Sequence, residues 1–332
     1  MKITILNESD MRNVFTMSDA IKADKDALEL YSLGKSVVPL RINIDVPEYS
    51  GQSLYMAGYA PDAGALGVKI VSVYPKNIEK GLTSVPATMV LVNQETGEVC
   101  AMLDGTYLTR IRTGAVSGAA TDILARKNSR SFALFGTGGQ AATQLEAVLT
   151  ARPAIEEVRV FDISTERADD FAEKMTALFA GKFAARIHSA ATSDEAVSGA
   201  DIITTVTTSK KAVFDGTLVK KGAHLNCVGS YTPEMQELDE RVLCRADIVT
   251  VDTRDGVFNE SGDFIIPKQK GIFCYDKVAE LGEVIMGRTP GRGSDDQITI
   301  FETVGSGVLD VVTAQRIYEK ASSAGIGKIV EF

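Results

Sequence analysis

The residues whose types and spacing point most directly to chemistry lie between Ser131 and Leu149, in the run SFALFGTGGQAATQLEAVL. Phe132, Ala133, Leu134 and Phe135 read as a buried strand, while Ala141, Ala142, Leu145, Val148 and Leu149 recur on one side of a helix. Between them the spacing Gly136-x-Gly138-x-x-Ala141 is a dinucleotide fingerprint. The first glycine permits a tight turn, the second lets backbone approach a pyrophosphate, and a small third residue lets helix pack on strand. Phosphates would sit at the helix N-terminus, where free N–H groups and the positive dipole end favour an anion. A second strand, Val158–Asp162, follows and ends in an acid. Asp162 stands about two dozen residues beyond Gly138, the spacing of a carboxylate that accepts from a ribose 2′-OH. This favours NAD(H). NADP(H) stays open, because Ser164, Thr165 and Arg167 offer hydroxyls and a cation to a 2′-phosphate.

The elements around this turn divide the chain into two kinds of structure. From 130 to about 305, strands at 131–136, 157–162, 184–189, 200–206, 223–229, 247–252 and 298–304 alternate with helices at 139–151, 165–179, 193–198 and 238–244. That alternation predicts a doubly wound, mostly parallel sheet. Its carboxyl ends at Thr205–Thr208 and Cys227–Ser230 are where such sheets bind ligands, which singles out Thr207, Val228, Gly229 and Ser230. Residues 1 to about 110 read differently. A helix from Ser18, its expected N-cap, to Leu33 stops at Gly34, and strand-like runs follow at 38–46, 53–59, 66–73, 88–93 and 98–103, the last two forming a hairpin. This is an α+β pattern. The small-residue helix Thr109–Lys127 leads from one region to the other, Gly282–Asp296 reads as a surface loop, and Gly307–Ala324 as a closing amphipathic helix.

Composition narrows the class. A chain of 332 residues, 45% hydrophobic and 24% charged, is an ordinary globular protein long enough for two domains. The net charge of −9 and the lack of a dense Lys/Arg run argue against nucleic acid or an anionic membrane surface as partner. No run approaches the roughly 20 apolar residues of a membrane span. The N-terminal sequence lacks a signal-peptide core, so a cytoplasmic location is expected. Four scattered cysteines and two histidines suggest no zinc site, and the cysteines are expected to be small buried apolar residues. His224, in AHLNCVG, reads as a strand residue rather than a catalyst.

Several motifs in register resemble those of the ornithine cyclodeaminase/mu-crystallin family. They are LGVKIV around Lys69, DG-x-x-L-T-x-x-R-T-G-A from Asp104 to Ala115, GTGGQA, Asp162, and ELD after Pro233. The resemblance implies a substrate-binding and dimer-forming α+β domain, 1–115 plus 307–332, with a Rossmann domain, 116–306, inserted into it. It implies hydride transfer between NAD(P)(H) and the α-carbon of an amino or imino acid, in a homodimer. It also assigns roles. Arg41 and Arg112 would hold the substrate α-carboxylate, for which a planar guanidinium fork is suited. Lys69 would touch substrate and handle the proton, its pKa lowered by burial beside two arginines. Ser84, Arg112, Gly136, Thr137, Gly138, Gly139, Gln140 and Asp162 would meet the cofactor, with Thr207, Val228, Gly229, Ser230 and Thr303 completing its site. From the residues alone Arg41 reads rather as a solvated strand residue, and Arg112 could instead cap a domain interface. Lys69 lies in an apolar run where an unpaired lysine is costly to bury, although its ammonium can snorkel.

One departure narrows the chemistry. In the family's cyclodeaminases, the motif D-x-P-G-K-x-E-L carries an aspartate that assists ring closure and ammonia loss. Here Tyr231 stands in its place and Glu234-Met235 replace Gly-Lys. A phenol with a pKa near 10 is no carboxylate base at neutral pH. The expected reaction is therefore reduction of a cyclic ketimine carboxylate, Δ1-pyrroline-2-carboxylate or Δ1-piperideine-2-carboxylate, to L-proline or L-pipecolate. Alternatives are an alanine-type amino-acid dehydrogenase, an ornithine cyclodeaminase, and a non-catalytic small-molecule-binding protein of the mu-crystallin kind.

Overall fold

A computed structural model describes residues 1–332. The chain opens with β1 Lys2–Leu6, α1 Glu8–Val14, α2 Met17–Ser32, β2 Ile42–Val46, β3 Gly51–Ala60, β4 Ala65–Val73, β5 Ala87–Val92, β6 Val99–Asp104 and α3 Gly105–Leu124. Alternation follows: β7 Ser131–Phe135, α4 Ala141–Ala151, β8 Glu157–Phe161, α5 Thr165–Leu178, β9 Arg186–Ser189, α6 Ser193–Val197, β10 Ile202–Thr205, β11 His224–Cys227, α7 Glu240–Arg245 and β12 Ile248–Val251. The chain ends with α8 Arg254–Glu260, α9 Gly262–Gln269, β13 Val278–Glu280, α10 Leu281–Ile285, β14 Thr299–Glu302, α11 Gly307–Ser323 and β15 Lys328–Glu331. Two compact units result, Met1–Arg112 with Ser306–Phe332, and Thr113–Gly305.

The first unit is a seven-stranded sheet in the order β15-β1-β6-β5-β4-β3-β2. Strands β2 to β6 pair antiparallel, β1 pairs parallel with β6, and β15 closes the edge antiparallel to β1. Helix α11 lies on β3, β4 and β5 and packs against α2. Two glycines allow this approach. A Cβ on Gly58 would stand 2.8 Å from the Gly307 carbonyl oxygen, and one on Gly307 would stand 2.3 Å from that of Ala57. Helix and strand thus meet backbone to backbone at the first turn of α11.

The second unit is an eight-stranded, wholly parallel sheet in the order β13-β12-β14-β11-β10-β7-β8-β9. The chain order reverses at β7, which pairs with β8 on one side and β10 on the other. In an open α/β sheet that reversal leaves a crevice at the carboxyl ends where ligands bind. Phe132 and Leu134 belong to one buried cluster and Ala133 and Phe135 to another, as expected of a strand covered on both faces. The small-residue helix α3 has a local reason for its composition: a Cβ on Gly114 would lie 2.5 Å from the Thr143 carbonyl of α4.

Several expectations need correction. Helix α2 is capped by Thr16, not Ser18; Thr16 and Asp19 form a reciprocal capping box. Gly34 does follow the helix end, at φ 68°. Helix α3 begins at Gly105 rather than Thr109, and the segment from Gly282 is not all loop, because α10 runs to Ile285. Of the cysteines, Cys227 is buried, Cys100 half-buried, and Cys244 and Cys274 exposed, so burial does not describe them as a set. No helix is long and apolar enough to cross a membrane.

Candidate active site

In the second unit, the turn after β7 is built as its glycines suggest. Gly136 has φ 101°, and a Cβ there would strike the Val206 carbonyl at 2.8 Å. Gly138 and Gly139 face open space, with no atom within 4 Å of a Cβ placed on either. The backbone can therefore come close to a pyrophosphate at the start of α4. Thr137 donates from its amide and its hydroxyl to Asp162 Oδ2, at 3.1 and 2.7 Å, and Ser164 N donates to Oδ1 at 3.1 Å. Burial alone would raise the Asp162 carboxyl, but these bonds and Arg167 prevail and hold it below its ordinary value. Asp162 thus stays ionised beside the turn.

Across the same crevice, Thr207, Val228, Gly229 and Ser230 occupy the carboxyl ends of β10 and β11, and Thr303 that of β14. Two hydroxyls expected at the cofactor are committed elsewhere. Ser230 Oγ donates to Met235 O at 2.8 Å, and Thr303 Oγ1 donates to Asp252 Oδ2 at 2.6 Å. Ser230 Oγ also accepts from Asp263 N at 3.3 Å and Thr303 Oγ1 from Gly305 N at 3.2 Å, so both hydroxyls are engaged inside the protein. Gln140 lies at the start of α4 with Oε1 buried and unpaired. Tyr231 is half-buried against the apolar core of this unit. His224 is fully buried within β11 between Thr299 and Asn226, its pKa pushed down to about 3 by burial and Arg292, so it remains neutral in the core.

The first unit holds a separate group of charges. Lys69, on β4, is among the largest wholly buried side chains of the protein. Strand alternation turns it toward α11, where its Nζ donates to Asp310 Oδ1 at 2.8 Å. Arg112 Nε lies 2.9 Å from the same oxygen. Asp310 is itself wholly buried, so one carboxylate serves both cations. Burial first, then Arg112 and more weakly Arg41, lower the Lys69 pKa to about 7, against the opposing pull of Asp310. Arg41 therefore acts on this group from just before β2, although it is only partly buried. Arg112 meets Asp310 through Nε, and its two terminal nitrogens remain to grip a planar carboxylate. Ser84 is in this unit, half-buried, with its carbonyl accepting from Tyr74 N at 2.8 Å.

Two acids here were not anticipated. Asp310 had a signal in the sequence, a carboxylate inside the apolar helix GVLDVVTA. Asp24, wholly buried on α2, accepts from Thr313 Oγ1 at 2.9 Å, one turn beyond Asp310. Burial lifts its carboxyl well above the ordinary range, with Arg112 opposing and Asp310 reinforcing. Chemically, the group offers an amine that exchanges a proton near neutral pH and a guanidinium suited to an anionic substrate.

Known proteins match the whole architecture. A Delta(1)-pyrroline-2-carboxylate reductase of Bacillus cereus (strain ZK / E33L) is 37% identical over 329 residues, covering 99% of each chain. The structure of Thermococcus litoralis Delta(1)-pyrroline-2-carboxylate reductase in complex with NADH and L-proline superposes with a TM-score of 0.92 at 39% identity, over 98% of this chain and 99% of that one. An archaeal alanine dehydrogenase dimer with bound NAD gives a TM-score of 0.90 at 35% identity over the full length of both chains. The profile of the ornithine cyclodeaminase/mu-crystallin family matches residues 1–325, and the chain belongs to that family.

Proposed function

We propose that this protein is an NAD(H)-dependent reductase of a cyclic ketimine carboxylate, converting Δ1-pyrroline-2-carboxylate or Δ1-piperideine-2-carboxylate to L-proline or L-pipecolate. The observation that carries the reading is the buried group Lys69–Asp310–Arg112, which pairs a proton donor tuned to about pH 7 with an anion-binding guanidinium. Similarity to the reductase that binds NADH and L-proline supports the same substrate class. Bound nicotinamide would supply the hydride at the C=N carbon. Arg112 and Arg41 hold the α-carboxylate and fix the ring in a reactive orientation. Lys69, as its ammonium, gives a proton at the ring nitrogen, and Asp310 holds that ammonium in place. Gly136, Thr137, Gly138, Gly139 and Asp162 would hold the pyrophosphate and ribose, and Asp162 would disfavour a 2′-phosphate. NADH oxidation with each cyclic imine is the test; no turnover of either would sink the reading.

A second reading, oxidative deamination of an open-chain amino acid, is favoured by similarity to the alanine dehydrogenase. Pyruvate and ammonia assayed with NADH separate the two. That relative's dimeric state also supports a homodimer here. The sheet face opposite α11 carries Tyr55, Ala57, Val68 and Ile70, an apolar and partly exposed surface suited to a second copy. Light scattering on the purified protein tests it.

A further inference from the structure

The loops leaving β10 and β11 lie outside helix and strand, so their backbone N–H groups need partners. A single side chain supplies both. Glu237 Oε1 accepts from Thr207 N at 2.5 Å, and Oε2 accepts from Gly229 N at 2.7 Å. The loops are drawn so close that a Cβ on Gly229 would lie 2.1 Å from the Thr207 carbonyl and 2.6 Å from Glu237 Oε2. Glu237 is fixed in turn. Its own N–H and that of Leu238 donate to Asp263 Oδ1 at 2.7 and 2.8 Å, and Asp263 N donates to Ser230 Oγ at 3.3 Å. Ser261 Oγ adds a bond to Glu302 Oε1, at the end of β14, at 2.7 Å.

Glu237, Asp263 and Glu302 are all wholly buried, and burial raises each above its ordinary range, to about 7 for Glu237 and about 8 for Asp263. Three acids buried this close together are a costly way to stabilise a fold. The cluster sits instead at the ligand-binding end of the sheet, where loop spacing matters. Strand order gives the direction: β8, which ends just before Asp162, lies on one side of β7, and β10 and β11 lie on the other. A dinucleotide with its adenosine ribose at Asp162 extends its nicotinamide half over β10 and β11.

We propose that Glu237 is a positioning residue for the nicotinamide half of the cofactor, clamping the Thr207 and Gly229 loops at the separation that this half requires. The proposal rests on the reading that this unit binds NAD(H). It predicts a selective defect. Glu237→Gln keeps the shape but turns an N–H donor toward one of the two loop amides. Calorimetric titration should show NADH bound roughly tenfold or more weakly, the loss expected when a buried loop amide is left without its acceptor. ADP-ribose, which lacks nicotinamide, should bind within about twofold of wild type, because its contacts lie at Asp162 and the glycine turn. A general structural role would weaken both ligands together. Equal loss for both, or no loss for either, overturns the proposal. If Glu237→Gln fails to fold, Glu237→Asp retains the charge but is too short to span both loops, and the same selective loss is expected. Wild-type protein that binds neither ligand overturns the cofactor reading, and the clamp with it.

Discussion

Lys69 Nζ and Asp310 Oδ1 lie 2.8 Å apart, although 241 positions separate the two residues in the chain. The bond joins the middle of β4 to the first turn of α11, and Arg112 shares the same oxygen. Asp310→Asn keeps the side-chain shape and removes the charge. Lys69 then loses the interaction that raises its pKa, which falls below the present value of about 7. Less ammonium is available at neutral pH, and the rate of imine reduction should fall by roughly 10²-fold. The pH profile should move to lower pH. Thermal unfolding should show a cost of about 3–5 kcal/mol, as expected when one member of a buried ion pair is removed. A slow variant with an unmoved profile would remove Asp310 from control of Lys69.

The wild-type pH dependence follows from the same lysine. Its folded pKa is depressed from 10.5 to about 7. The donating ammonium predominates below that value, so kcat for imine reduction should decline as pH rises through it. The reverse oxidation of L-proline needs the neutral amine and should rise over the same range. For stability the sign is fixed by proton uptake. Between about pH 7 and 10.5 the unfolded chain holds the Lys69 proton and the folded chain does not, so this contribution grows with pH and is lost on falling through 7. Lys69→Met should abolish both limbs of the rate profile while leaving NADH binding intact. Retained turnover would reassign the proton donor.

Asp162 offers a third test. It accepts from Thr137 and Ser164 and remains ionised, so it should repel a 2′-phosphate while accepting from a 2′-OH. Asp162→Ser should raise KM for NADH by about 10-fold or more, the scale of a charged hydrogen bond. KM for NADPH should fall relative to NADH, because Arg167 then lacks its acidic neighbour at 3.8 Å. An unchanged NADH/NADPH ratio would place cofactor choice elsewhere.

Where interactions are local, the sequence already contains the answer. The glycine turn, its flanking strand and helix, and Asp162 all fall within Ser131–Asp162, and each keeps the geometry that its spacing implies. Lys69 stood out because a lysine in Leu66-Gly67-Val68-Lys69-Ile70-Val71 is costly to bury without a partner. Its partner was hidden by distance along the chain. An acid in the first turn of a helix also has a ready local explanation in the helix dipole, so Asp310 did not stand out. Helices α8 and α9 escaped notice because Gly256, Gly262 and Pro267 punctuate them as a loop would be. The Glu237 clamp was out of reach for a different reason: its partners are backbone N–H groups, which carry no residue identity.

The contact between α11 and β3 gives the last prediction. At Gly307 an added Cβ would stand 2.3 Å from the Ala57 carbonyl, so Gly307→Ala must lift the first turn of α11 from the strand. Asp310 lies in that turn, and Lys69 lies on β4, the strand next to β3. The substitution should cost about 1–3 kcal/mol through overpacking. It should also lengthen the Lys69–Asp310 bond and shift the rate profile toward lower pH, as Asp310→Asn does. Gly325→Ala is the control. Gly325 follows the other end of α11 at φ 65° with open space around its Cβ position, so alanine there costs about 1–2 kcal/mol in backbone strain. Matched destabilisation with a profile shift only for Gly307→Ala would show that the glycine contact sets the chemistry of Lys69, and equal profiles would confine it to packing.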